Sequence, residues 1–93
     1  LIVQMQYVIG DKAANFSKIE TLLDGQESYS PDLVILPELF ATGWNCDIYA
    51  EVAEKFENSE IMNFLKNIAK RFKSNVIGGS FARLDDDVTN INT

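Results

Sequence analysis

Glu38 stands directly after four apolar residues and a proline, Leu33-Val34-Ile35-Leu36-Pro37. Leu36, Leu39, Phe40 and Trp44 surround it along the chain. A carboxyl group withdrawn from water by such neighbours ionises less readily, which moves its pKa toward the range of a general base. The plainer alternative is a carboxylate that faces solvent or caps the turn that follows. Gly78-Gly79-Ser80 is a second candidate. Two glycines allow a backbone to approach a ligand or a neighbouring loop, although tight strand packing is the favoured reading.

Other constellations carry less. Cys46 is the sole cysteine, and the chain has no histidine to activate it, so a small, partly buried hydrophobe is the better reading. The absence of histidine also excludes Ser-His-Asp and Cys-His sites and the commonest metal ligand within these residues. Asp85-Asp86-Asp87 lacks the spaced oxygens and closing glutamate of a calcium loop, and reads as a solvated acidic turn. Asp11 and Asp47 read as helix caps before ligands. No Gly-x-Gly-x-x-Gly follows the first apolar run and no Walker lysine follows a glycine run, so nucleotide fingerprints are absent.

Composition narrows the class. With 93 residues, 46% of them hydrophobic and 24% charged, the chain has the usage of one small globular domain. A domain of this size is too small to enclose a large active site by itself. The net charge of -6 argues against nucleic acid, which needs a basic stripe. Lys66, Lys70, Arg71 and Lys73 come nearest to one, and read as the wet face and positive last turn of a helix. A single cysteine excludes a disulfide-stapled scaffold. No apolar run approaches the roughly 18 residues of a membrane span, and no signal peptide is visible, so a cytoplasmic protein is expected. Leu1 opens the sequence inside an apolar run and Ile91-Asn92-Thr93 closes it in mid-pattern, so residues 1–93 are expected to be part of a larger domain.

The elements that must position Glu38 follow from periodicity. Residues 1–9 read as a strand with Leu1, Val3, Met5 and Tyr7 on one face. Asp11 caps a helix over 12–24, with Ala13, Phe16, Ile19, Leu22 and Leu23 as its stripe, and Gly25 closes it. The unbroken apolar run 33–36 reads as a central strand covered on both faces, ended by Pro37. Strand, helix, strand in this order predicts parallel crossover connections and an α/β fold. The loop 38–49 then lies past a strand's carboxyl end, where open α/β sheets gather their chemistry. A short helix is expected over 48–56. A longer one is expected over 60–72, capped by Asn58 or Ser59, with Ile61, Leu65, Ile68, Ala69 and Phe72 inward. Residues 76–81 read as a third strand, 83–87 as a turn and 88–93 as a returning strand.

These pieces together resemble the nitrilase superfamily, the carbon–nitrogen hydrolases. The most specific is Asp32-Leu33-Val34-Ile35-Leu36-Pro37-Glu38-Leu39-Phe40-Ala41-Thr42-Gly43, which is similar to the family's strand and catalytic-glutamate elbow. Gln4 to Asp11 with Asn15-Phe16-Ser17-Lys18-Ile19 resembles the first strand and helix. Leu65 to Ala69 with Val76-Ile77-Gly78-Gly79-Ser80 resembles the next pair, and Asn92-Thr93 the strand after the first hairpin.

The resemblance implies a four-layer α-β-β-α sandwich, of which residues 1–93 form about the first third. It implies a Glu-Lys-Cys triad acting on small amides or nitriles, with no metal and no cofactor. It also implies a homo-oligomer, with neither nucleic acid nor membrane as partner. Glu38 matches the family's glutamate. No lysine or cysteine here matches the other two positions, so the 93 residues alone are expected to be inactive. The wording around Glu38 looks most like the omega-amidase and predicted amidohydrolase branch, in which Phe40 and Trp44 would line the acyl pocket. Two other readings stand beside this one: a catalytically inactive homologue, and an α/β small-ligand binding module.

Overall fold

A computed structural model describes residues 1–84 with their side chains and the backbone of residues 88–92. The acidic turn expected at Asp85-Asp86-Asp87, and Thr93, lie outside the described residues. Three helical segments and four strands are present: α1 (Lys12–Leu23), β1 (Leu33–Ile35), the single turn α2 (Tyr49–Val52), α3 (Glu60–Phe72), β2 (Asn75–Ile77), β3 (Ser80–Leu84) and β4 (Val88–Asn92). Short 3-10 turns at Gln26–Tyr29, Cys46–Ile48 and Phe56–Asn58 join them.

The two long helices form where caps and stripes coincide. The Ala14 amide donates to the Asp11 carboxylate at 3.0 Å, and Gly25 follows the helix with φ 77°. At α3 the Met62 amide donates to the Ser59 hydroxyl at 2.9 Å. Ile61, Leu65, Ile68 and Phe72 are buried on its inner face, and Lys70 and Arg71 occupy its last turn. Arg71 bridges Glu20 of α1 and Glu27 at 2.8 and 3.0 Å, which fastens the two helices at the surface.

The stripe of α1 differs from the expected one. Asn15, Ile19 and Leu23 are its buried residues, while Leu22 is 47% exposed. The four-residue spacing selects Asn15, a polar residue that the hydrophobic pattern alone passes over. Its side-chain amide accepts from the Val8 amide and donates to the Val8 and Ala41 carbonyls, each at 2.8 Å.

That side chain also explains why the strand expected over 1–9 reduces to a bridge. Ile2 pairs in parallel with Ile35, the Val3 amide donates to the Ile35 carbonyl, and the Ile35 amide donates to the Leu1 carbonyl. Past Ile35 the neighbouring strand has little left to offer. The Leu36 amide is taken by Ile77, and Pro37 has none. By residue 8 the backbone is satisfied by Asn15 instead of a ladder.

β1 pairs in parallel with β2, Val34 opposite Val76 and Ile35 opposite Ile77. Both connections into this sheet are therefore parallel crossovers, one through α1 and one through α3, as the element order predicts. Residues 76–81 do not form one strand. Gly78-Gly79 separates β2 from β3, and β3 pairs antiparallel with β4, Ser80 opposite Asn92.

The core lies between the β1–β2 sheet and the helices, where Val34, Leu36, Phe40, Ile19, Leu23, Ile61 and Ile68 are buried. Phe16 stacks on Phe64 at 4.3 Å, and Phe40 lies 6.0 Å from Phe64. Within residues 1–93 the strand expected to be covered on both faces is covered on one. Pairing aligns Ile2, Ile35 and Ile77 in one row across the other face, where Ile2 is 72% and Ile77 45% exposed.

Candidate active site

Pro37 ends β1 and turns the chain into an elbow, Pro37–Gly43. The amides of Thr42 and Gly43 both donate to the Leu39 carbonyl, at 3.2 and 2.8 Å. Leu39 closes this loop with φ 51°, a left-handed conformation that costs an ordinary residue about 1–2 kcal/mol. Leu36, Leu39 and Phe40 point inward and are buried. Glu38 lies between them in sequence but on the opposite side of the elbow, and its side chain is exposed.

The apolar ring expected around the carboxylate is therefore corrected. The inward residues anchor the elbow from below and do not enclose Glu38. Phe40 is fully buried against Phe16 and Phe64, so its ring is used in core packing. Trp44 is 60% exposed, just past the elbow. Cys46 is exposed at the start of its 3-10 turn.

What holds Glu38 is Tyr7, which sequence patterns did not single out as a site residue, together with the Gly78-Gly79-Ser80 run that they did. The Tyr7 hydroxyl donates to the Glu38 carbonyl at 2.6 Å. The Leu39 amide donates to the buried Ser80 hydroxyl at 3.3 Å. Gly79 lies so close beneath that a Cβ there would sit 2.2 Å from the Pro37 carbonyl oxygen and 3.0 Å from the Glu38 Cα. Of the two readings of Gly78-Gly79-Ser80, the close approach is thus to a neighbouring loop, the elbow itself. Tyr7 is legible only as the polar tip at the end of an apolar, alternating run.

Two phenols feel the Glu38 charge. Burial pushes the Tyr7 hydroxyl above its ordinary pKa, and the Glu38 charge adds to this. Tyr49 is raised by burial first, then by Cys46 and Glu38. Its hydroxyl is buried with no hydrogen-bond partner among the described residues. Both phenols are thereby held toward their protonated form.

Behind the site, Glu54 braces the scaffold. Its carboxylate sits 2.6 Å from Lys12 Nζ and accepts from the Ser59 hydroxyl and the Ile61 amide at 2.6 and 3.0 Å. Burial alone would raise its pKa, but these three partners together bring it below the ordinary value. An open groove of about 450 Å³, lined by Met5, Lys18 and Leu22 among others, lies between the amino-terminal segment and α1 and includes no elbow residue. Among the described residues no cluster of three or more Asp, Glu, Cys or His could hold a metal. No described helix is long and apolar enough to cross a membrane.

A glutamate on a glycine-supported elbow at the carboxyl end of a parallel strand stands where α/β folds place their reacting groups. The carbon–nitrogen hydrolase family matches residues 2–93, nearly the whole chain, and the chain belongs to that family. It is 35% identical over 89 residues to the omega-amidase NIT3 of Saccharomyces cerevisiae, covering 90% of this chain and 31% of that protein. It is 36% identical to a nitrilase of Pyrococcus abyssi, covering 92% of this chain and 34% of that one. It is 30% identical to the 2-oxoglutaramate amidase of Bacillus subtilis, covering 95% and 34%. The chain thus spans about a third of the length of these curated relatives. The fold matches XC1258 of Xanthomonas campestris, described as a CN-hydrolase superfamily protein with an arsenic adduct in the active site. The TM-score is 0.75 at 22% identity, covering 99% of this chain and 39% of that one.

Proposed function

We propose that these residues are the glutamate-bearing part of an amidase that hydrolyses the carbon–nitrogen bond of small amides, with Glu38 as its general acid–base. The observation that carries this reading is the placement of Glu38 on a braced elbow directly after β1, within a family match spanning residues 2–93. Relatives named for amidase activity favour an amide over a nitrile substrate.

In this reading Glu38 takes the proton of a cysteine thiol as the sulfur attacks the amide carbonyl. It returns that proton to the departing amine, leaving a thioester. It then removes a proton from the water that releases the acid and restores the thiol. A lysine and a backbone amide stabilise the oxyanion. Cys46 is not assigned the nucleophile's role, and no lysine in residues 1–93 is assigned the other. Both belong to sequence outside these residues, and the 93 residues alone are inactive.

The exposure of Glu38 suits the same reading, because the pocket that dries it is completed by the remainder of the protein. The open apolar row Ile2–Ile35–Ile77 supports a second sheet packed on this one, completing the four-layer α-β-β-α sandwich. Trp44, exposed beside the elbow, is the better candidate for a substrate contact. Phe40 supports the elbow from the core. The family likeness further suggests a cytoplasmic homo-oligomer.

The test is ammonia release from a panel of small amides, 2-oxoglutaramate included, by the complete protein that contains these residues. Intact mass is measured in parallel during turnover. The reading expects ammonia release and a transient mass increase equal to the acyl group. Release of neither product, with reversible amide binding only, would overturn it.

A further inference from the structure

Three distant segments converge on one peptide group. The peptide joining Glu38 to Leu39 has its carbonyl held by the Tyr7 hydroxyl at 2.6 Å and its amide held by the Ser80 hydroxyl at 3.3 Å. Tyr7 comes from the amino-terminal segment, 31 residues before Glu38, and Ser80 from the start of β3, 41 residues after Leu39. Each clamp stands beside a glycine with no room for a side chain. A Cβ on Gly43 would lie 3.2 Å from the Tyr7 Cβ, and one on Gly79, next to Ser80, 2.2 Å from the Pro37 carbonyl oxygen.

We propose that Tyr7 and Ser80 are positioning residues that fix the Glu38–Leu39 peptide plane and so set the direction in which the Glu38 carboxylate points. The assignment rests on the reading of Glu38 as the acid–base group. The Glu38 side chain leaves the backbone between two peptide groups. Gly79 packs on the first, and Tyr7 and Ser80 grip the second. Leu39 is held at φ 51°, a conformation that relaxes readily by rotation of this same peptide. A shift of this peptide displaces the Glu38 carbonyl carbon, one of the backbone atoms that fix the direction of the Cα–Cβ bond. Both hydroxyls bond the backbone of this peptide. Their effect is on geometry, to which acid–base transfer is steeply sensitive. Tyr7 is suited to a permanent donor's role, since burial and the Glu38 charge both hold its proton on.

The test uses the complete protein and 2-oxoglutaramate, with Tyr7→Phe, Ser80→Ala, Ser80→Thr and, for reference, Glu38→Gln. Tyr7→Phe and Ser80→Ala are each expected to lower kcat about 10- to 100-fold, the scale of a misplaced catalytic group, with KM within about twofold. Ser80→Thr, which keeps the hydroxyl, is expected to recover most of the loss. Two readouts need no turnover and separate this assignment from the amidase reading. Hydrogen exchange at the Leu39 amide should speed up about tenfold or more in Ser80→Ala while α3 amides stay protected, as for any opened hydrogen bond. The NMR titration of the Glu38 carboxyl should shift in both Tyr7→Phe and Ser80→Ala. Failure of Glu38→Gln to abolish turnover would overturn the acid–base reading on which the assignment rests, while the exchange readout would still report the peptide clamp by itself. Unchanged kcat in both clamp variants, or an unmoved Glu38 titration with unchanged Leu39 exchange, would overturn the positioning roles.

Discussion

An alanine at position 79 would carry a Cβ 2.2 Å from the Pro37 carbonyl oxygen and 2.7 Å from the Pro37 carbonyl carbon. Both neighbours are backbone, so neither can turn aside. The backbone at Gly79 also has φ 67°, where alanine pays about 1–2 kcal/mol. Relieving the clash requires the elbow or the start of β3 to move, which adds about 1–3 kcal/mol by comparison with other overpacked sites. The expected loss is about 2–5 kcal/mol, a large part of the 5–15 kcal/mol that holds typical domains folded. Gly25 supplies the control. It has φ 77° but nothing within 4 Å of a built Cβ, so Gly25→Ala isolates the dihedral cost of about 1–2 kcal/mol. Urea denaturation of the two variants of the complete protein, read as midpoint shifts at constant slope, gives the steric cost by difference. Equal midpoints for the two variants would refute the close approach of Gly79 to the elbow.

Asn15→Leu keeps the branched outline of the side chain but strands the Val8 amide and the Ala41 carbonyl and removes one of the two donors to the Val8 carbonyl, and should cost about 2–4 kcal/mol in the same assay. Phe40→Ala should cost about 3–5 kcal/mol by opening a core cavity, whereas Trp44→Ala should change stability by less than about 0.5 kcal/mol. In amide hydrolysis Trp44→Ala should instead raise KM, and an unchanged KM would remove Trp44 from the substrate site. Glu54 should contribute stability that is full above its unfolded pKa of about 4.5 and fades as pH falls through its lower folded value. Glu54→Gln should therefore be less stable at pH 7 and lose less on acidification, a difference that pH-dependent denaturation reads directly.

Helix α3 was legible because its cap and stripe agree, and α1 from its cap and closing glycine although its buried stripe differs from the expected one. Asp11 and Ser59 each precede a stripe of the right period, and Gly25 follows the first. The parallel crossovers followed from element order for the same reason. The length of the amino-terminal strand was not legible, because a strand is defined by its partner. Its neighbour ends at Pro37, and a side-chain amide at Asn15 replaces the ladder. Residues 76–81 split for a reason the glycines hinted at, but the exchange of one sheet for another is decided by distant pairing with β4.

At the site, Glu38 was legible as a candidate and its surroundings were not. Apolar neighbours in sequence suggest burial, yet a tight elbow sends Leu39 and Phe40 to one side and Glu38 to the other. Tyr7 carries no pattern of its own, and Ser80 only its place beside the glycine pair. Their importance lies in meeting one peptide group from 31 and 41 residues away. Contacts of that range are set by the fold and leave little trace in local spacing.

The most direct measurement compares ammonia release from 2-oxoglutaramate by the complete protein with that of its Glu38→Gln variant. Glutamine preserves the shape of the elbow and both backbone clamps, and removes only the ability to carry a proton. The account predicts a fall in kcat/KM of at least about 10²- to 10⁴-fold, the usual worth of a positioned acid–base group, at unchanged thermal stability. Turnover within about twofold of the unaltered protein would contradict it, since general acid–base catalysis by Glu38 could not then exist.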